Sequence, residues 1–235
     1  MKESTVVYKV FGVVKNEIRA RLSEIEDKKI KIFFDTDVSN DTKIVLKYST
    51  DASQKLIDET NAFIIRVFGE NLYAVDDFSL AQVAVDLMTL YKRRLSIAES
   101  LTGGQISSDI VDVPGASDVL VECCVTYSNE SKQSRLYVKK QTLSQFGAVS
   151  SEVAYQMATG LLNTSACDVV LATTGIAGPS GGSDIKPVGL TYIAVGDMSG
   201  IHIHKYIFSG DRNEIRKKAV NTALFLLIKL IKERK

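Results

Sequence analysis

The sequence predicts an α/β protein in two parts: a small α+β domain over residues 1–76, and a three-layer α/β/α domain with a mixed sheet over residues 77–235. Three observations lead there. In the first part, apolar residues alternate with polar ones at the period of half-buried strands, interrupted by two stretches of helical spacing. In the second part, short apolar runs alternate with helical patterns, as in a sheet covered by helices. The length, 235 residues, suits one large domain or two smaller ones.

Residues 5–13 are β-rich, and 16–25 place Ile18, Leu22 and Ile25 at helical spacing. Residues 29–34 and 43–48 alternate Ile30, Ile32 and Phe34, then Ile44, Leu46 and Tyr48, about a hairpin turn at Val38, Ser39, Asn40 and Asp41. A helix over 51–67 turns Leu56, Phe63, Ile64 and Val67 inward, and 72–75 adds a last strand. The order β-α-β-β-α-β suits a small sheet with helices on one face. After the break at Asp76, Asp77 and Phe78, Ser79 and Gln82 form a capping-box pattern, opening a helix with Val83, Leu87 and Leu90 along one face.

In the larger part, strands are expected over 95–98, 119–126, 168–173, 189–195 and 201–208, and helices over 102–111, 129–136, 150–162 and 213–233. The turn at 196–200 makes the last two strands antiparallel, hence a mixed sheet. The final helix carries nonpolar residues around much of its circumference. It is either buried in its own core or shared with a second subunit, and a homodimer is the expected assembly.

Composition narrows the partners. A net charge of +1 gives no global basic excess, so nucleic acid is not an expected partner. No apolar run reaches the roughly 18 residues that span a bilayer, and the charged start (Lys2, Glu3) lacks a signal-peptide core, so a cytoplasmic location is expected with no membrane partner. Cys123, Cys124 and Cys167 show no metal or redox spacing and are expected as buried, reduced thiols. His202 and His204 alternate on a strand without a third ligand nearby, so no metal or other cofactor is expected.

Chemistry is expected in the loops that follow the strands, which gather at one edge of an open α/β sheet. At Ser100, Leu101, Thr102, Gly103 and Gly104 a strand gives way to a helix start, where N–H groups favour an anion. Ser100 is a candidate nucleophile there; a helix cap is the plainer reading. Tyr127 closes a later strand, and Lys132 lies one turn into the helix that opens near Ser128 and Asn129. A capped helix with a surface lysine competes with a cleft holding both side chains. The run from Thr173 to Ser183 includes Thr174, Gly175, Gly178 and Gly181, and is read either as an anion nest or as a flexible linker. Arg212 and Arg216 stand one helical turn apart, a spacing that can grip a phosphate. With no histidine near Ser100 in sequence, a Ser-Lys pair is simpler than a Ser-His-Asp triad.

Six ordered motifs carry a resemblance: Ala98-Glu99-Ser100-x-Thr102-Gly103-Gly104, Tyr127-Ser128-Asn129-x-x-Lys132, Gly147-Ala148-Val149-Ser150-x-Glu152-Val153-Ala154, Thr174-Gly175-Ile176-Ala177-Gly178-Pro179-x-Gly181-Gly182, Lys186-Pro187-Val188-Gly189 and Gly210-Asp211-Arg212. From about residue 80 onward the chain resembles the CinA C-terminal (competence/damage-inducible, nicotinamide-mononucleotide deamidase) family. Residues 1–75 resemble the KH-like segment that precedes this domain in longer family members. The resemblance implies hydrolysis of the carboxamide of nicotinamide mononucleotide (NMN), with Ser100 as nucleophile, Lys132 and Tyr127 assisting, and Thr174 lining the site. On that reading Lys132 must be neutral, Tyr127 holds it and relays a proton to ammonia, and N–H groups at Thr102 and Gly103 hold the oxyanion. The glycine loop and Arg212 or Arg216 take the ribose phosphate. The chain departs from the family pattern at Leu101, usually cysteine, and at Glu122 and Cys123, usually glycine. These departures leave open a ligand-binding protein with a weakened site. RNA binding by the KH-like part is a lesser alternative, because residues 1–75 contain only Gly12 and Gly69 and so no Gly-x-x-Gly loop.

Overall fold

The computed structural model describes residues 4–234. They form two compact units, Met1–Val83 and Ala84–Lys235. The first contains strands β1 (Ser4–Phe11), β2 (Ile30–Thr36), β3 (Asp41–Tyr48) and β4 (Leu72–Val75), with helices α1 (Lys15–Leu22) and α2 (Gln54–Phe68), in the expected order. The sheet is antiparallel, with strand order β2-β3-β1-β4. Asp37 closes the β2–β3 turn by accepting from the amides of Ser39 (2.8 Å) and Asp41 (3.0 Å), and Ser53 caps α2 at the amide of Leu56. Alternation aims Tyr8, Val10, Ile44 and Leu46 at one face, where Ile18, Leu22, Ile64 and Phe68 of the two helices meet them. The other face carries Lys31, Phe33 and Lys47, all exposed.

Helix α3 (Leu80–Leu90) begins as expected, with the Ser79 hydroxyl accepting from the Gln82 amide. Ala81, Ala84, Val85 and Met88 are buried and Leu90 is 68% exposed, so the Val83–Leu87–Leu90 stripe is not the core face. Apolar residues occupy both sides of this helix, so spacing alone cannot choose between them.

The second unit holds a five-stranded sheet of order β6-β5-β7-β8-β9, built from β5 (Leu95–Glu99), β6 (Leu120–Val125), β7 (Val169–Gly175), β8 (Leu190–Asp197) and β9 (Gly200–Ile207). Strand β5 runs parallel to β6 and β7; β8 and β9 are antiparallel to their neighbours. The helices are α4 (Gln105–Val111), α5 (Asn129–Leu136), α6 (Lys140–Phe146), α7 (Ser151–Thr164) and α8 (Arg212–Glu233). On one face Val153, Met157 and Leu161 of α7 pack on Ala98, Val170, Ala172 and Ala194. The alternate residues of β7 turn to the face where α8 lies, giving the three layers. Helix α8 buries Ile215, Ala219, Leu224, Leu227 and Ile231 within this chain, which accounts for its composition without a second subunit. The sequence reading missed α6, whose one apolar turn is too short to show a period.

Two further expectations change. Cys123 is exposed, because β6 is an edge strand; Cys124 and Cys167 are half-buried, and all three thiols are free. Helix α4 starts at Gln105 rather than 102, after a turn in which Gly103 (φ +63°) and Gly104 (φ +91°) take left-handed conformations suited to glycine. Among the described residues, no helix is long and apolar enough to cross a membrane.

Candidate active site

Strands β5 and β6 end side by side, and the Thr126 amide donates to the Glu99 carbonyl (2.8 Å). The residues that follow them, Ser100 and Thr126-Tyr127, are therefore neighbours at one sheet edge. Ser128 caps α5 by accepting from the Ser131 amide (3.1 Å), which fixes Lys132 in the first turn. Helical side chains lean toward the N-terminus of their helix, so Lys132 folds back over that turn. Its Nζ reaches Ser100 Oγ at 3.1 Å, the Thr126 carbonyl at 2.7 Å and the Tyr127 carbonyl at 3.2 Å. Lys132 is 1% exposed and Ser100 8%. Burial pushes the Lys132 ammonium down from 10.5 to about 8, since a charge loses hydration there.

This coordination defines what the pair can do. A neutral amine has two N–H donors and one lone pair. The two backbone carbonyls take the two donors. The lone pair is left facing the Ser100 hydroxyl, the arrangement of a base beside its nucleophile.

The close seating of α5 depends on Gly160 in the middle of α7. A Cβ there would lie 2.2 Å from the Leu136 carbonyl at the end of α5. A mid-helix glycine costs about 1 kcal/mol relative to alanine, and here it admits the neighbouring backbone.

The remaining site residues are placed less uniformly. The Tyr127 phenol is 63% exposed and meets Arg212 Nη2 at 3.4 Å. The backbone carbonyl of Tyr127 holds Lys132, not its ring hydroxyl as expected. Arg212 also donates to the Gly178 carbonyl (2.7 Å), so Tyr127, Arg212 and the glycine loop share one rim. Arg216 does not join a phosphate grip. Its guanidinium donates to the carbonyls of Leu101 (3.2 Å) and Thr102 (2.8 Å), bracing the Ser100 turn. Thr102 is buried, its hydroxyl bonded to that of Thr173 (2.8 Å). The Thr174 hydroxyl donates to the Ala148 carbonyl (2.8 Å). Asn129 is exposed at the head of α5, and Gly181 (φ +90°) is exposed in the loop.

The glycine loop is not a loose linker, because it is packed and tied into the fold. Beside Gly178, Val188 fills the space where a side chain would go, and beside Gly175 the Leu190 carbonyl and Leu101 do so. These glycines serve close approach within the protein. Lys186 ties the loop down by donating to the carbonyls of Phe146 and Val149 (2.5 and 2.7 Å).

The largest revision concerns the helix start. The carboxylate of Glu99, fully buried, accepts from the amides of Gly104 (2.9 Å), Ile106 (3.2 Å) and Ser107 (2.8 Å) and from the Ser107 hydroxyl (2.6 Å). The anion that this helix start favours is thus supplied by the protein. The Gly103 amide is engaged as well, donating to the Ser100 carbonyl (3.2 Å). A charged residue closing an otherwise apolar strand was the available signal for Glu99, since buried charges require partners. The sequence reading also missed Thr126, whose buried hydroxyl has no hydrogen-bond partner among the described residues. Such an atom is one that water or a substrate group satisfies.

The side chains of Leu101 and Glu122, two of the departures from the family pattern, point away from the Ser100–Lys132 pair. Leu101 packs with Ala177, Ile215 and Ala219. Glu122 pairs with Arg135 (3.2 Å) on the edge strand, four residues or about 13 Å from Thr126 at strand spacing. His202 and His204 lie on β9, three strands or about 14 Å from β5, which leaves the triad alternative without its histidine. No group of three or more potential metal-ligating side chains stands together among the described residues.

The family model of the CinA C-terminal domain matches residues 77–231. A CinA-like protein of Thermotoga neapolitana is 39% identical over 230 residues, covering 97% of this chain and 56% of its own length. A CinA-like protein of Endomicrobium trichonymphae is 40% identical over 244 residues, with 97% and 55% covered. The chain thus spans about half the length of these curated relatives. Among solved structures, the competence/damage inducible protein CihA from Agrobacterium tumefaciens is similar, with TM-score 0.63 and 42% identity over 64% of this chain and 93% of that one.

Proposed function

This chain belongs to the CinA C-terminal domain family, and from that premise we propose that residues 77–235 form an amidohydrolase domain that converts NMN to nicotinate mononucleotide and ammonia. The observation that carries the proposal is the buried 3.1 Å contact between Lys132 Nζ and Ser100 Oγ. The identity of the substrate follows the family resemblance.

In the proposed reaction, neutral Lys132 takes the hydroxyl proton of Ser100 as Oγ attacks the carboxamide carbon. The amides of Leu101 and Thr102, the donors of this turn that Glu99 and Ser100 do not occupy, hold the oxyanion; one such donor is typically worth about 3 kcal/mol. As the C–N bond breaks, Lys132 passes its proton to the leaving nitrogen, which departs as ammonia. Water then cleaves the acyl-serine with Lys132 again as base. No relay through the Tyr127 phenol is required, because the ammonium formed at Lys132 already touches Ser100 Oγ. Arg212 stands at the rim as the proposed phosphate contact. The interior packing of Leu101 and the distant ion pair of Glu122 favour an active enzyme over a weakened binding protein.

The test is ammonia release from NMN, with nicotinamide riboside and NAD as comparators. Ser100→Ala should abolish release while the protein retains its circular dichroism spectrum and melting temperature. Lys132→Arg should be inactive as well, since a guanidinium stays protonated. Full activity in either variant refutes the assignment.

A further inference from the structure

The open face of the N-terminal sheet is patterned in a way the amidase does not use. On it, the β-register sets Lys31 directly opposite Lys47, and Lys43 opposite Lys9. Like charges facing each other across strands are destabilising unless something neutralises them. The second pair is neutralised: Lys9 pairs with Asp41 (3.3 Å) and Lys43 with Asp77. The first pair is not. Among the described residues, Lys31, Lys47 and the adjacent Lys28 form no ion pair, and only Lys29 does, with Asp51 (3.1 Å). These lysines line an open groove of about 210 Å³ around Phe33. Phe33 is 51% exposed on the edge strand β2, and Lys47 Nζ sits 5.5 Å from its ring centre. Acidic residues outnumber basic ones in residues 1–83, so the cluster is a local concentration against the charge of its own unit.

Unpaired cations beside an exposed ring match a ligand that joins repeated negative charge to flat unpaired rings. We propose that this face binds single-stranded nucleic acid, with phosphates on Lys28, Lys31 and Lys47 and one base stacked on Phe33. Base stacking on aromatic side chains within a basic groove is the general mode for single strands. A duplex presents phosphates but hides its base faces, and a polyacid offers no ring. This surface also differs from the glycine loop with which KH domains clamp RNA, so the missing Gly-x-x-Gly motif does not count against it.

The test is fluorescence anisotropy of the full chain with a short labelled single-stranded oligonucleotide, the matching duplex and polyglutamate. The single strand should bind tightest. Three phosphate contacts give a log–log salt slope near −2, or roughly a 20-fold loss of affinity between about 50 and about 200 mM salt. Phe33→Ala should weaken single-strand binding about ten-fold and remove the preference over duplex. The double variant Lys31→Glu/Lys47→Glu should abolish binding, with amidase activity and melting temperature unchanged. Absence of binding at low salt, equal affinity for duplex or polyglutamate, or indifference to these substitutions would overturn the proposal.

Discussion

If Lys132 is the base, the pH dependence of turnover carries its signature. With the ammonium pushed down to about 8, about 9% of the enzyme holds a neutral lysine at pH 7 and about 91% at pH 9. Turnover should therefore rise about ten-fold over those two units and then level off, changing by only about 10% between pH 9 and pH 10. A lysine at its ordinary value of 10.5 behaves differently: its neutral fraction rises about 100-fold from pH 7 to pH 9 and about 8-fold more by pH 10. The interval between pH 9 and pH 10 thus separates the two cases. The assay is initial-rate ammonia release at saturating NMN, kept above about pH 7 because a phosphate monoester titrates near 6. Continued steep rise beyond pH 9, or a flat profile from pH 7 upward, would refute the reasoning that burial prepares Lys132 for proton transfer.

The same shift has a stability consequence. The folded-state value lies below the unfolded one, so between about 8 and 10.5 the unfolded chain holds more protons at Lys132, and rising pH favours the folded state. Relative to Lys132→Met, the wild type should gain about 2 kcal/mol between pH 7 and pH 9.5; a stability difference in urea that is constant with pH contradicts this. Glu99→Gln turns an amide N–H₂ toward donors at the start of α4 and should cost about 3 kcal/mol together with most activity; an unchanged urea midpoint would show that the carboxylate is not needed. Arg212→Ala should raise KM for NMN more than for nicotinamide riboside, which lacks the phosphate, whereas Arg216→Ala should lower kcat and the melting temperature with no change in that ratio. Gly160→Ala should lower both stability and kcat by displacing α5, and a wild-type kcat would show that α5 does not depend on that close approach.

The periodicities were sufficient for the sheet order's raw material: β5, β6 and β7 were visible as apolar runs, and α5 and α8 were placed to within a residue. The pairing of Ser100 with Lys132 was legible because each stands just beyond a strand in a recognisable motif. What escaped was set by contacts between distant segments. The partners of Arg216 lie more than a hundred residues earlier in the chain, so its spacing from Arg212 suggested a phosphate grip while its actual acceptors were backbone carbonyls. The buried face of α3, formed by Leu80, Ala81, Ala84, Val85 and Met88, was not legible because apolar residues stand on both sides of that helix. The role of Glu99 was hidden because local spacing shows a helix start but not which carboxylate fills it.

The reversal of chain direction between β7 and β8 separates two tasks. Gly175 pairs with Thr191, so the segment 176–189 leaves and re-enters the sheet at one place, while Ser100 and Lys132 come from other strands and helices. The segment is therefore a module whose ends are held at a fixed separation by the sheet itself. Shortening, lengthening or exchanging its tip should leave the Ser100–Lys132 contact in place, provided Lys186 is kept as the anchor. On the proposed function, in which Arg212 leans on Gly178 and meets the phosphate, exchanging the stretch between Pro179 and Ile185 is the direct way to ask whether this segment selects the substrate.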